Sequence, residues 1–413
     1  MKWRAVAVAA LLALLATSPP SPPGRAWPQS SPGTFVLSLA SAIQRAHDIS
    51  PSLELARIKV EKARLDHDRA ASLAGRIPED AVTSYEIASI KHLYPLQARQ
   101  SLELAELNLT ATYRNVELQV RTAYLRSLLA RELVRLAGQA MERAQDHVRL
   151  AQKLFDAGTV PYKDVMDARV READTRASYI TAEKNLSLAL MALCRVIGLP
   201  LDARLELEPL VPLLDISGYD MEQHTKQALE RRYEMHQALA MTELTRRNLE
   251  LALAYPSRPS LPGLPVDWPD FDFDGIPWWP PGLPNPGEGD ETPDQSEQYN
   301  IPAARLDYQQ AVIYYLLTKD EITFQVRQAH LNVAEAKERL AVYDESLQAA
   351  REGVRLAGLR YEAGAGTNLE VLAANLALSQ AQTAYIAALF EYEIAKAVYV
   401  HAGSAGSRQD LGR

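Results

Sequence analysis

Two stretches of the chain, from about Leu96 to Ala157 and from about Ala303 to Ala363, carry apolar residues at alternating steps of three and four with no proline between. In the first, the seam runs through Val116, Val120, Ala123, Ser127 and Ala130; in the second, through Ile322, Val326, Ala329, Val333 and Ala336. That spacing keeps one face of an α-helix apolar. At 1.5 Å per residue, each stretch predicts a helix on the order of 90 Å long. The seams are rich in Ala, which lets helices approach closely. A second stripe through Leu118, Leu125, Leu129, Leu133 and Leu136 lies beside the first. A helix with two adjacent stripes has two neighbours, so the pattern predicts a sheet or tube of helices rather than a simple pair.

The two stretches are copies. "HVRLAQKLFDAG" from His147 matches "GVRLAGLRYEAG" from Gly353 at six of twelve positions, at an offset of 206 residues. The same offset aligns "LQVRTAYL" with "FQVRQAHL" and runs ungapped for about 80 residues, a length that marks an internal repeat. Each long helix ends at an Ala-Gly stop, where glycine accepts the left-handed turn past a helix C-terminus. A second helical pattern follows each stop. Pro161 suits the first turn of the former, and Thr367 or Asn368 the N-cap of the latter, with Glu370 in its first turn. Each copy therefore predicts a long antiparallel hairpin whose tip is the Ala-Gly turn. Shorter helical segments open each half, aligned at an offset of 182 residues, as Ala56 with Ala238.

The expected organisation is a first helical repeat over 34–199, a linker over 200–219 with Pro200, Pro209 and Pro212 and room for short strands, and a second repeat over 220–404. The second repeat carries an insertion over 255–302 rich in Pro, Trp and Asp, and 405–413 reads as a disordered tail. Residues 1–26 read as a secretory signal: Lys2 and Arg4, an apolar run from Ala5 to Ala16, then proline and small residues. The mature chain is expected to be exported.

Composition narrows the function. A net charge of -8 spread along the chain, with no basic block, excludes nucleic acid as a natural partner. Aromatics at 7% suit long helices rather than a sheet-rich core. The one cysteine, Cys194, sits in an apolar helical pattern and reads as a small core residue. The eight histidines show no ligand spacing, and no nucleophile motif, phosphate loop or carboxylate pair stands out. Neither an enzyme nor a cofactor is expected.

In "RYEAGAGTNLEVLAANLALSQAQTAYIAAL", its weaker twin "LFDAGTVPYKDVMDARVREADTRASYITAEKNL" and the opening "AIQRAHDISPSLELARIKVEKA", the chain resembles the TolC-like family of outer-membrane efflux proteins. The resemblance implies an all-α fold of duplicated long antiparallel coiled-coil hairpins, assembled as a homotrimer into an elongated helical tunnel in the cell envelope. It implies docking on a periplasmic adaptor joined to an inner-membrane pump, through tips at Gly158, Thr159, Val160, Gly364, Ala365 and Gly366. It also implies an acidic tunnel mouth, for which Asp164, Asp167 and Glu370 are the candidates; Ala373 lacks the carboxylate expected there. Tips without bulky side chains let another helical hairpin pack end to end.

Family members also build a membrane barrel from strands lying between the short and long helices of each half. Here the first slot, "GRIPEDAVTSYEIASIKHLYP", is too short for a spanning hairpin of two strands of about ten residues each. The second holds twelve prolines between Pro256 and Pro302, which remove ladder donors. The barrel strands are expected to be missing. Within that second slot, Asp270, Asp272 and Asp274 open like a calcium loop, but the closing Glu falls at Pro281, so the stretch reads as a solvated acidic loop. Trp268, Trp278 and Trp279 suit either a membrane interface or packing on the protein's own tunnel end, leaving membrane contact open. Two functional readings therefore stand: an export duct subunit, and an exported helical spacer or envelope-binding module that has lost barrel and conduction.

Overall fold

The computed structural model describes residues 35–209, 220–255 and 297–404. The signal, the second half of the linker, the loop with Asp270, Asp272, Asp274 and its tryptophans, and the tail lie outside the described residues.

Strand β1 (Phe35–Leu37) leads into α1 (Leu39–Ile49), whose N-cap Ser38 exchanges hydrogen bonds with Ser41 in a capping box. Helix α2 (Pro51–Gly75) follows after a break at Ser50, where Pro51 takes the first helical position. Residues 79–93 form a 3-10 turn (Glu79–Ala81), the single-turn α3 (Tyr85–Ala88) and a π turn (Ser89–Leu93). The first barrel slot is thus a helical corner, pinned by Lys91 to Glu79 at 2.9 Å and by the Tyr85 hydroxyl to Asn248. The long helix α4 (Tyr94–Asp156), α5 (Tyr162–Val196) and strand β2 (Leu205–Leu207) complete the first half. The second half holds α6 (Met221–Arg231), α7 (Tyr233–Ala254), the long α8 (Glu297–Glu362) and α9 (Asn368–Ser404). Helix α8 begins upstream of the expected boundary and carries Pro302 near its start.

The duplicated hairpins are as the pattern predicts: α4 packs antiparallel to α5, and α8 to α9. Helix α4 also lies against α2, α9, α1 and α7, whereas the main partners of α8 are α9, α7 and α6. The main core lies at mid-length, where Val120, Leu125 and Leu128 of α4 meet Leu193 of α5 and its C-cap Ile197, Leu53 of α2 and Phe390 of α9. Each such buried Leu or Phe contributes about 2 kcal/mol by removal from water. The counterpart in the second half joins Ile322, Val326 and Val333 to Met235 and Tyr399.

The linker does supply a strand. β1 and β2 form a parallel pair, Phe35 opposite Leu205 and Leu37 opposite Leu207, the only sheet among the described residues. Its short ladder is supported by α4: Tyr124 Oη lies 3.0 Å from the carbonyls of both Leu37 and Glu208, and Arg131 donates to Leu207 O at 2.6 Å. Burial pushes the Tyr124 phenol up, so it stays a donor.

Candidate functional site: the two hairpin tips

At the first tip, Gly158 sits at φ 74°, its N–H bonded to Phe155 O at 2.8 Å, while Thr159 N–H reaches Leu154 O at 2.9 Å. At the second, Gly364 sits at φ 72°, with Gly364 N–H on Tyr361 O at 3.0 Å and Ala365 N–H on Arg360 O at 2.8 Å. These are the paired bonds of a Schellman motif, which satisfies the last carbonyls of a helix and needs a residue tolerant of positive φ. The duplicated Ala-Gly is therefore a duplicated backbone stop. Gly158, Thr159, Gly364 and Ala365 are exposed, and Val160 and Gly366 half-buried.

The restart differs between tips. Pro161 occupies the N-cap of α5, one place before the first turn expected of it. Thr367 caps α9, accepting from Glu370 N–H at 3.3 Å, and its hydroxyl reaches Glu370 Oε1 at 3.3 Å. Glu370 also lies 3.8 Å from Arg360, so its carboxylate closes its own tip. Gly366 is required for space: a Cβ there would lie 3.0 Å from the Arg360 Cβ and from Tyr361 N.

Asp164 and Asp167 lie in the first two turns of α5, Asp167 exposed and Asp164 half-buried. Asp164 and Glu370 each complement the positive end of a helix. The structure brings Asp164 to the second hairpin, where its carbonyl accepts Asn368 Nδ2 at 3.3 Å. Asn368 in turn bonds His147 Nε2 at 2.6 Å, with both side chains buried. The Tyr361 ring stands 5.8 Å from that imidazole, and burial followed by the Asp164 charge pushes its phenol up. Higher on the same contact, Arg143 of α4 reaches Ser379 and Gln382 of α9 at 3.4 and 3.3 Å. Sequence reasoning missed this polar contact between the hairpins. The available signal was His147 facing Gly353 in the repeat alignment: two copies of one position, one of which had gained a polar ring.

Two hairpins of matched length, closed by matched tips at one end and side by side, are the architecture of the helical tunnel of efflux channels. A sequence profile described as outer membrane efflux protein matches residues 96–199 and 295–398, together just over half of the chain. The chain belongs to this TolC-like family. Its fold is similar to that of the outer membrane protein VceC from Vibrio cholerae, with a TM-score of 0.71, 18% identity, and 89% of this chain and 96% of that chain covered. It is also similar to the outer-membrane channel OprN, with a TM-score of 0.69, 18% identity, and coverage of 89% and 90%. The Campylobacter jejuni CmeC outer membrane channel matches with a TM-score of 0.68, 15% identity, and coverage of 90% and 86%. No curated protein matches the sequence. Fold and family are those of transport channels rather than enzymes.

Proposed function

We propose that three copies of this chain close into a helical efflux duct in the cell envelope, and that the tips dock on a periplasmic adaptor coupled to an inner-membrane pump. The observation that carries the ring is a mismatch between equivalent positions. Leu125 on α4 is 0% exposed and its repeat partner Leu331 on α8 is 66% exposed; Leu136 is 7% exposed and Val342 62%. The stripe on α8 continues through Leu306, Ile313, Leu317 and Phe324, all exposed, so it runs most of the helix. An apolar face of that length marks a protein contact. Its counterpart on α4 is covered by α9 of the same chain. The equivalent cover for α8 is the second helix of a first repeat, α5, which bears exposed Val170, Ile180 and Leu188. Within one chain, α5 already lies on the far side of α4, so the α5 that covers α8 belongs to another copy. A repeated head-to-tail contact makes a ring when the rotation between copies closes, and closure after three copies of two repeats gives the sixfold-like tunnel that the family resemblance implies.

The mechanism is passive: a water-filled conduit that opens when the tip hairpins splay against a partner. The acidic groups Asp164, Asp167 and Glu370 are assigned to the tunnel mouth, and the tips at Gly158, Thr159, Val160, Gly364, Ala365 and Gly366 to the adaptor.

Sedimentation of the purified protein tests the ring: trimer mass is expected, and Leu331→Glu should leave folded monomers. A wild-type chain that stays monomeric at high concentration, with and without detergent, sinks the reading. For docking, Val160→Trp and Ala365→Trp are better probes than glycine substitutions, because Gly364 and Gly366 hold the turn itself. Both variants should trimerise normally and lose co-purification with the adaptor; retained binding refutes the docking assignment. The helical corner at 79–93 keeps the spacer reading alive, since the first barrel slot contains no spanning strand. Ion flux through vesicles carrying the trimer separates the two: none is expected of a spacer.

A further inference from the structure

Resting on the ring reading, we infer that the contact between copies is built by exchanging large and charged residues between the two helices of the contact seen within the chain. Tyr162 of one copy seats over Gly353 of the next, and Arg195 of the first pairs with Asp320 of the second.

The template is the α4/α9 contact, and the offset of 206 residues transfers it onto α8 and α5. At the lower level, His147 of α4 projects against the small Asn368 at the first position of α9. The equivalents are Gly353 on α8 and Tyr162 at the first position of α5. The bulky ring has moved to the other helix, and its former place is empty. A Cβ on Gly353 would meet nothing within 4 Å, and Tyr162 stands 51% exposed, resting on Phe155 at 5.3 Å between centroids.

One level up, Arg143 of α4 reaches Gln382 of α9. The equivalents are Ala349 and Arg176, both exposed, so the arginine too has changed helix. Higher again, Arg114 of α4 and His401 of α9 line one hollow. Their equivalents are Asp320 on α8 and Arg195 on α5, both exposed and of opposite charge.

Asp320, Ala349 and Gly353 all fall on the helical line of the apolar stripe through Leu317, Leu331 and Val342, so they belong to the face that the ring covers. A notch opposite a ring conserves total volume, which packed interfaces require. The opposite charges fix the vertical register between copies. The two seams are therefore continuous in geometry but not interchangeable, which directs α8 toward α5 of another copy.

Sedimentation equilibrium on the full chain reads the assembly midpoint. Gly353→His should raise that midpoint about tenfold or more by overpacking the seam. Adding Tyr162→Asn rebuilds the His–Asn pair of the α4/α9 contact and should restore assembly. Arg195→Asp and Asp320→Arg should each weaken assembly, and the double exchange should recover it. All four positions are exposed in the single chain, so any loss of assembly should come without loss of helix content or of melting temperature in dilute protein. If Gly353→His assembles like wild type, or if neither double variant recovers, the exchanged seam is wrong while the ring stands. If the unaltered chain never assembles, ring and seam fall together.

Discussion

Helices α4 and α8 share a seam, a length and a terminating turn, yet α4 is a hub and α8 an edge. The first hairpin has the second on one side, so both stripes of α4 are covered within the chain. Among the described residues no further hairpin covers the second, and its outer stripe stays open. The lesson is that burial at a repeated position is decided by the order of repeats, not by the local pattern. Leu125 and Leu331 are the same residue at the same phase with opposite fates.

The largest effect should appear there. Leu125→Ala leaves a cavity among Val120, Leu128 and Phe390 and should cost about 3 kcal/mol in denaturant unfolding of dilute protein. Leu331→Ala, made under the same conditions, should change unfolding by less than about 0.5 kcal/mol, as surface substitutions do. Equal losses at the two positions would mean that α8 is covered within the single chain, and the hub and edge distinction would collapse.

Next come the sites where a helix end meets its opening helix in each half. Gly198 sits at φ 67° with Ile49 Cγ2 2.7 Å from where a Cβ would lie. At the end of α9, a Cβ on Gly403 would clash with the His224 ring of α6. Alanine at either should cost about 2 kcal/mol, through strain and overpacking. Gly403→Ala together with His224→Ala should relieve part of the second loss, but no partner change should rescue Gly198→Ala fully, because its φ remains. Thermal melting of these three variants and of Gly198→Ala with Ile49→Ala checks this, and full rescue at Gly198 would show that space, not backbone, made glycine necessary.

Much of this architecture was legible because it is periodic. The two long helices, their common stop and the offset relating them follow from apolar spacing and from Gly158 and Gly364. Other features were not legible, each for a physical reason. Strands β1 and β2 have three residues each, and their pairing depends on Tyr124 and Arg131 far along the chain. The break between α6 and α7 at Arg232 has no proline or glycine to mark it; instead Arg232 bonds Glu234 and Gln325, and tertiary contact overrides helix propensity. Within the first slot, read only as too short for two strands, Tyr85–Ala88 folds as helix because Ser84 caps it. Of the candidate site, the tip glycines were readable and the His147–Asn368 bond was not, since its partners lie 221 residues apart.

A smaller effect distinguishes the tips. Thr367 caps α9 through its hydroxyl, whereas the N-cap of α5 is Pro161 with no side-chain bond. Thr367→Ala should therefore cost about 1 kcal/mol and loosen the second tip alone. Amide exchange at Glu370 should accelerate with no change at Asp164; acceleration at both would show that Asn368 couples the two tips into one unit.

The smallest expected effect lies where the hub meets the second repeat. His401 of α9 is pushed below the usual imidazole value by burial, then by the Arg232 and Arg114 charges, against the opposing pull of Glu234 and Glu117. A lowered folded value means the folded state resists the proton that the unfolded chain accepts near 6.5. Stability should therefore be full above that pH, decline as pH falls toward the folded value, and level off below it. Glu234 is half-buried, but its bonds and charge contact with Arg232 outweigh that desolvation and hold its carboxyl low, so its contribution is lost only on further acidification, below 4.5. His401→Gln should remove the first decline and leave the second. At the open edge the position of His401 is taken by Arg195, so the imidazole is absent there and ring assembly should not share the first decline. Unfolding and sedimentation measured across the same pH series would separate the two contacts, and parallel declines would show that one joint governs both.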